Sequence, residues 1–219
     1  MAAGIAHEIN NPLGVVLMFA HLLREGMKEG DPNLPDVDKI IHEAERTRGI
    51  VRGILNFARE EKVERSRTDI NVLLREAARA LQSIDTDRRI AIEFDLDGAL
   101  EPQWVDRSQL RQVFDNILKN AAEVMLGGGT ITVRSRGGED SFSVVIEDSG
   151  PGIPEETLPK LFSPFVTTKP VGKGTGLGLA VCYGIVKMHG GTIQAANRPE
   201  GGARFTVTIK SYAKEETVA

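Results

Sequence analysis

Apolar residues in the first quarter of the chain recur at intervals of three and four, which is the spacing of one face of an α-helix. The first stripe consists of Ile5, Ile9, Leu13, Val16, Ala20, Leu23 and Met27. After turn-forming residues at 30–35, a second stripe consists of Val37, Ile40, Ala44, Thr47, Val51, Ile54 and Ala58. The two stripes predict two long helices joined by a short loop in an antiparallel hairpin.

The apolar face of the second predicted helix is wider than one partner helix can cover. The residues that widen it are Ile41, Ile50, Leu55 and Phe57. This face can pack on the rest of its own chain, but we favour the pairing of two hairpins in a four-helix bundle. The protein is then expected to be a homodimer.

A run of charged residues at 59–67 separates the hairpin from a segment of different periodicity. We therefore predict a first domain at residues 1–64 and a second at residues 65–219. In the second, alternation predicts strands at 90–94 and 205–209, and β-forming residues predict strands at 130–133 and 142–146. Helical patterns predict helices at 110–125 and 179–188. The fold class is therefore expected to be α+β. The Pro-rich and Gly-rich stretch 152–174 has the length of a lid.

Composition excludes several classes of protein. The 31 acidic and 27 basic side chains give a formal net charge of −4, so no basic surface is expected for nucleic acid. No apolar run has the roughly 20 residues of a membrane span, and no secretion signal opens the chain, so we expect a cytoplasmic protein. The single cysteine, Cys182, excludes an internal disulfide.

Glycines precede the helix predicted at 179–188. The segment Gly174, Thr175, Gly176, Leu177 and Gly178 runs directly into it. Glycines let the backbone approach an anion, and the first N–H groups of a helix attract phosphate. The pattern lacks the context of a dinucleotide-binding fold, and Lys173 is followed by Gly174 rather than by the Ser or Thr of a P-loop. A merely flexible loop remains an alternative.

An acid and two glycines end the apolar strand predicted at 142–146. Asp148 can accept a hydrogen bond from an exocyclic amine, and Gly150 and Gly152 leave room for a flat ring, as an adenine site requires. On the helix before it, Asn116 and Asn120 are four residues apart and share one face. An amide oxygen is a sufficient protein ligand for magnesium that is also bound by phosphate and water. Turn and helix-capping roles are the alternatives.

In order along the chain, five segments resemble the boxes of the two-component sensor histidine kinases. They are Ala6-His7-Glu8-Ile9-Asn10-Asn11-Pro12 (H box), Asn116-Ile117-Leu118-Lys119-Asn120-Ala121 (N box), Asp148-Ser149-Gly150-Pro151-Gly152 (G1 box), Leu161-Phe162-Ser163-Pro164-Phe165 (F box) and Gly174-Thr175-Gly176-Leu177-Gly178-Leu179 (G2 box). The resemblance implies a dimerisation and phosphotransfer hairpin followed by an α/β sandwich ATP-binding domain of the Bergerat (GHKL) fold. No sensor segment precedes the H box, so we expect a catalytic fragment without a membrane segment.

The resemblance also implies roles for single residues. His7 is expected to attack the γ-phosphorus of ATP, with Glu8 as the base, and to pass the phosphoryl group to an aspartate of a response-regulator receiver domain. Asn11, one helical turn after His7, is expected to support a phosphatase activity on that partner. The residues expected to bind ATP are Asn116, Lys119, Asn120, Asp148, Gly150, Gly152, Lys173, Gly174, Thr175, Gly176, Leu177, Gly178 and Thr206, with Asn120 holding magnesium. Solvated surface charge remains an alternative for the lysines.

Two functions from other classes compete with the kinase. One is a conformational ATPase of the same nucleotide fold, and the early His7-Glu8 pair with Asn11 argues against it. The other is a dimeric scaffold that binds nucleotide without transferring phosphate. Acid-labile, base-stable label on His7 would exclude both.

Overall fold

The computed structural model describes residues 2–28, 30–58, 63–84, 89–169 and 174–211, with side chains in the first two helices described for residues 11–28, 30–45 and 47. These residues divide into two compact units, the first within residues 1–61 and 163–178 and the second within residues 62–162 and 179–219. The boundary expected between residues 64 and 65 stays a prediction. Among the described helices, none has the length and apolar character needed to cross a membrane.

The first unit contains the helical hairpin, which confirms the prediction from spacing. Helix α1 spans Ala2–Gly26 and helix α2 spans Leu34–Ala58. Among the described side chains of the hairpin, the buried apolar ones are Leu17 and Ala20 of α1 and Val37 and Ala44 of α2. Near the turn, Arg24 Nε lies 2.6 Å from Asp38 Oδ1, but both side chains are about half exposed, so the pair adds little stability.

Several large apolar side chains in the described part of α1 are exposed in the single chain. They are Val15, Val16, Met18, Phe19, Leu22 and Leu23, and Ile40 adds one from α2. A cluster of large exposed apolar side chains on one helix is typical of an interaction site.

The second unit is built on a five-stranded sheet and also contains a separate two-stranded sheet. The strands of the unit are β1 (Ser66–Thr68), β2 (Ile90–Leu96), β3 (Gln103–Val105), β4 (Gly129–Gly137), β5 (Ser141–Asp148), β6 (Thr192–Asn197) and β7 (Ala203–Lys210). Its helices are α3 (Ile70–Ile84), α4 (Arg107–Val124) and α5 (Gly178–Met188), the last beginning at the unit boundary. The five strands follow the order β2-β4-β5-β7-β6, and β1 pairs separately with β3. Only β2 and β4 are parallel among the described pairs.

One face of the sheet carries the hydrophobic core. Because successive strand residues point to opposite faces, alternate positions of β5 and β7 are buried. Phe142, Val144 and Ile146 of β5 pack with Phe205, Val207 and Ile209 of β7 against apolar residues of α3, α4 and α5. The second unit is therefore a two-layer α/β sandwich, as expected. Helix α3 and strands β1, β3 and β6 are elements that the sequence analysis did not predict.

Asp106 fixes the start of α4. Its Oδ1 accepts hydrogen bonds from the backbone N–H groups of Ser108 and Gln109, each at 3.0 Å, as an N-cap does. Its Oδ2 accepts from the backbone N–H of Glu64 at 3.2 Å. Burial alone would raise the pKa of Asp106, but these hydrogen bonds, led by the one from Gln109 and joined by the Ser108 hydroxyl, lower it from its ordinary value. The same carboxylate therefore holds both α4 and the start of the second unit.

His189, directly after α5, completes this junction. Its ring is fully buried, its Nε2 accepts from the backbone N–H of Asp106 at 3.1 Å, and its Nδ1 lies 2.8 Å from the carbonyl oxygen of Ile185. A backbone N–H can only donate, so the ring proton is on Nδ1 and the imidazole is neutral. Burial lowers the pKa of His189, and the nearby Arg65 lowers it further, against the opposing effects of Ile185 and Asp106.

Candidate functional site

Asp148 ends β5 with its side chain on the core face of the sheet. It lies in register with Ile131 of β4 and is only 3% exposed. Its Oδ1 accepts hydrogen bonds from the backbone N–H groups of Gly150 at 2.8 Å and Ala203 at 3.2 Å. Within the described chain both side-chain hydrogen bonds of Asp148 use this one oxygen, so Oδ2 keeps its lone pairs for a ligand.

The loop after Asp148 packs against the end of α4. A Cβ atom at Gly150 would lie 3.1 Å from Val124 Cγ2 and 2.9 Å from Asp148 Oδ1, so a larger residue would displace one of the two. The hydroxyl of Ser149 lies 3.5 Å from Met125 Sδ and accepts from the backbone N–H of Thr130. The loop therefore packs the end of β5, with its acidic residue Asp148, against the last turn of α4.

Asn116, Asn120 and Val124 are spaced four residues apart on α4 and form one row along the helix. Val124 ends this row beside Gly150. At its other end, the side-chain amide of Asn116 lies 3.7 Å from the sulfur of Cys182 on α5. Both asparagines are partly buried and Lys119 is exposed. The structure thus brings the two predicted asparagines onto the side of α4 that faces the Asp148 loop.

Cys182 anchors α5 against α4. It is fully buried, and its thiol donates to the carbonyl oxygen of Val113 at 3.7 Å. Burial raises the pKa of this thiol to about 12, although the contact with the Asn116 amide acts in the opposite direction. The thiol is therefore protonated at neutral pH and serves as a packing group.

The glycines at 174–178 belong to the first compact unit. Gly176 has a φ of +65° and its carbonyl oxygen accepts a 3.0 Å hydrogen bond from the backbone N–H of Phe165. Phe165 is 56% exposed and has a φ of 66°, which is unusual for a bulky residue. The hydroxyl of Thr175 accepts from the backbone N–H of Leu177. Lys173 lies outside the described residues.

The structure does not bring Thr206 to the Asp148 side of the sheet. Thr206 lies opposite Val145 of β5, on the face away from the core. On that face the buried carboxylate of Glu147 pairs with Arg204 and, at 2.8 Å, with Arg134. Strand periodicity is the reason, because residues one apart in β7 point to opposite faces. The expectation that Thr206 lies beside an adenine at Asp148 is therefore corrected.

Four residues at the turn between β6 and β7 contact the Asp148 loop and were not predicted from the sequence. They are Asn197, Arg198, Gly202 and Ala203. Each contacts a partner about 50 residues away, so no local pattern signals the contact. The glycine pair at 201–202 was the one available hint of an unusual turn.

The predicted phosphoacceptor segment lies on α1. His7 and Glu8 belong to this helix, and their side chains lie outside the described part of the chain. Asn11 follows one helical turn after His7 and is exposed. Among the described residues, no group of three His, Cys, Asp or Glu side chains can hold a metal ion, so protein carboxylates and imidazoles alone do not form a metal cage there.

Two family models match the chain. Residues 1–63 match the "His Kinase A (phospho-acceptor) domain", and residues 105–213 match the "Histidine kinase-, DNA gyrase B-, and HSP90-like ATPase". The sensor kinase CckA of Brucella abortus (strain 2308) is 34% identical over 99% of this chain and 24% of its own length. The chain spans about a quarter to a half of the curated relatives it matches.

Solved structures are similar over most of the chain. Full-length ShkA in complex with AMPPNP has a TM-score of 0.81 at 25% identity, covering 97% of this chain and 46% of that one. Histidine kinase ThkA in complex with the response regulator TrrA has a TM-score of 0.71 at 31% identity, covering 97% and 61%. The catalytic domain of ThkA alone has a TM-score of 0.61 at 35% identity, covering 68% and 96%.

Proposed function

The chain belongs to the two-component sensor histidine kinases, and on that premise we propose that it binds ATP with magnesium and phosphorylates its own His7. The observation that carries this proposal is the divided use of the Asp148 carboxylate. One oxygen is held by two backbone N–H groups, and the other is left for a ligand. A buried acceptor held this rigidly selects a donor such as the exocyclic amine of adenine.

The nucleotide is assigned to the side of α4 that faces the Asp148 loop. Gly150 and Gly152 lie in the loop directly after Asp148, where the flat ring is proposed to bind, and Asn116 and Asn120 place amide groups along the helix. Magnesium binds through one or two protein oxygens and otherwise through phosphate and water, so the amide oxygen of Asn120 is a suitable ligand. When bound, the ion neutralises charge on the phosphates.

The phosphates are assigned to positively charged and backbone donors. Lys119 and Lys173 are the proposed side-chain partners. The backbone of the Gly174, Thr175, Gly176, Leu177 and Gly178 segment, which leads into α5, supplies N–H groups. These assignments rest on the order of the boxes in the sequence and on the position of the glycines directly before a helix.

In the proposed reaction, a lone pair of the His7 imidazole forms a bond to the γ-phosphorus while the bond from that phosphorus to the β,γ-bridging oxygen breaks. ADP leaves, and Glu8 accepts the proton of the other ring nitrogen. The phosphoryl group then passes to a receiver-domain aspartate of a response regulator: a carboxylate oxygen bonds to the phosphorus while the P–N bond to His7 breaks, and the ring recovers its proton. Asn11 has an exposed side chain on the same helix and is proposed to orient a water for dephosphorylation of that aspartate.

We also propose that the active form is a homodimer in the cytoplasm. The support is the exposed apolar row of α1, which includes Phe19, Leu22 and Leu23. Pairing of two hairpins in a four-helix bundle buries such a row. Replacing Leu22 with Asp should convert a dimer into monomers in sedimentation velocity.

The proposal is tested by incubating the protein with γ-labelled ATP and magnesium. Wild type should incorporate acid-labile, base-stable label, and His7→Gln and Asn120→Asp should not. His21→Gln is the matched control, because His21 is an exposed histidine on the same helix, and it should incorporate label normally. Label that persists in His7→Gln would contradict the assignment.

A further inference from the structure

Residues at the turn between β6 and β7 form hydrogen bonds to both ends of the Asp148 loop. Asn197, the last residue of β6, accepts a hydrogen bond from the backbone N–H of Ile153 at 2.7 Å. Its side-chain amide also donates to the carbonyl oxygen of the same residue at 2.7 Å. The side chain thus pairs with Ile153 as a neighbouring strand would, at the far end of the loop.

The near end of the loop is held by the next residue of the turn. Arg198 donates from its guanidinium to the carbonyl oxygen of Asp148 at 2.8 Å. Gly202, on the other arm of the turn, also approaches the loop closely, because a Cβ atom there would overlap that carbonyl oxygen. We call Asn197, Arg198 and Gly202 the bracket. It holds the loop from 148 to 153 at its first and last residues.

The bracket lies next to the two backbone groups that orient the Asp148 carboxylate. Oδ1 is held by Gly150, within the loop, and by Ala203, directly after the bracket. Any shift of the loop relative to the turn therefore reorients the carboxylate and moves its Oδ2. Asn197 is on the same face of β6 as Ile193 and Ala195, which is the core face, whereas Gln194 is on the opposite face.

Asn197 is exposed, and water can replace its two hydrogen bonds when it is removed. Loss of the side chain should therefore cost little folding free energy. The backbone of Ile153, by contrast, loses the two hydrogen bonds that fix its position directly after Gly152, although its side chain still packs against the core. A residue with this pattern acts on ligand affinity more than on stability.

We propose that Asn197 is a positioning residue for the nucleotide, acting by pinning Ile153 so that the Asp148 loop keeps its ligand-ready shape. This rests on the proposed ATP site and adds a residue outside every box of the sequence. Asn197 does not touch the nucleotide and acts through the loop.

The test compares wild type with Asn197→Ala, Asn197→Asp and the control Gln194→Ala, which removes an amide from the opposite face of the same strand. Calorimetric titration gives the Kd for ADP with magnesium, and thermal unfolding gives the melting midpoint. Autophosphorylation at varied ATP gives KM and kcat. Amide hydrogen exchange reports the protection of the Ile153 N–H.

Asn197→Ala should weaken ADP binding about tenfold and raise KM for ATP similarly, with kcat and the melting midpoint close to those of Gln194→Ala. The Ile153 N–H should lose protection. Asn197→Asp keeps the acceptor for that N–H and loses the donor to the carbonyl, so protection should be kept and affinity should lie between wild type and Asn197→Ala.

Three results would overturn the positioning role. They are unchanged ADP affinity in Asn197→Ala, a fall in kcat without a rise in KM, and a loss of affinity accompanied by a matching fall in the melting midpoint. If Asn197→Ala does not fold, Asn197→Asp with wild-type affinity has the same meaning. Wild-type protein that binds no ADP would instead refute the proposed nucleotide function itself.

Discussion

Replacing Asp148 with Asn should separate the two uses of this carboxylate. The amide oxygen of Asn can accept the same hydrogen bonds from Gly150 and Ala203 that Oδ1 accepts now. The amide nitrogen then takes the place of Oδ2. It cannot exchange places with the oxygen, because both backbone groups are donors and would face an NH₂ group. The loop should keep its shape while the ligand meets a donor instead of an acceptor.

The size of the effect follows from what is kept and what is lost. A hydrogen bond to a charged acceptor contributes about 1.5 to 3 kcal/mol, so losing it should weaken ATP binding about 10-fold to 150-fold. Because the two backbone hydrogen bonds are kept, the free energy of unfolding should fall by less than about 1 kcal/mol. Asp148→Ala strands both N–H groups and should lower it by about 2 kcal/mol.

The assay is a calorimetric titration with ATP and with GTP, alongside urea unfolding of both variants. GTP carries a carbonyl oxygen where ATP carries the exocyclic amine, so the donor in Asp148→Asn should reduce the preference for ATP over GTP. Asp148→Asn that binds ATP like wild type would refute the role of Oδ2 as the acceptor from the exocyclic amine. Equal losses of stability in Asp148→Asn and Asp148→Ala would refute the role of Oδ1 in holding the loop.

Other substitutions test the structure around this site. Gly202→Ala should sharply reduce ATP affinity in titration, because its φ of +88° strains any other residue and the added Cβ overlaps the carbonyl oxygen of Asp148. The lowered pKa of His189 means that the unfolded chain takes up a proton first as pH falls below about 6.5. Stability present above that pH is therefore lost with acidification, and His189→Gln, which keeps an acceptor for the Asp106 N–H, should flatten this slope in urea unfolding at varied pH. The thiol of Cys182, with its pKa raised to about 12, should react with a disulfide reagent only when the protein unfolds.

The sequence predicted the elements with long or clean periodicity. Helices α1 and α2 each carry seven stripe residues at steps of three and four, and this spacing is enough to specify them. Helix α3 was missed although Ile70, Leu73, Leu74 and Ala77 follow the same spacing and are buried. The helix begins just after the charged segment at 59–67, which was interpreted only as a domain boundary. Strand β6 was missed because small residues at its edge position give weak alternation.

The candidate site was predictable where its chemistry is local. Asp148 and its two glycines lie within five residues of one another, and Asn116 and Asn120 are four residues apart on one helix. Thr206 was misplaced because a hydroxyl was matched to the site without following the two-residue period of β7, which puts Phe205 on the core face and Thr206 on the other. Asn197 was not predictable, because its partner Ile153 is 44 residues away and only the folded sheet brings them together.

The parallel pairing of β2 with β4 also affects the order of folding. Strands β4 and β5 are adjacent in the chain and can zip together through a short turn, whereas β2 reaches β4 only after β3 and α4 have crossed over. Closing that longer loop costs more entropy, and β2 is at the edge of the sheet with one neighbour to hold it. Strand β2 is therefore expected to join the sheet late during refolding and to detach early under denaturant.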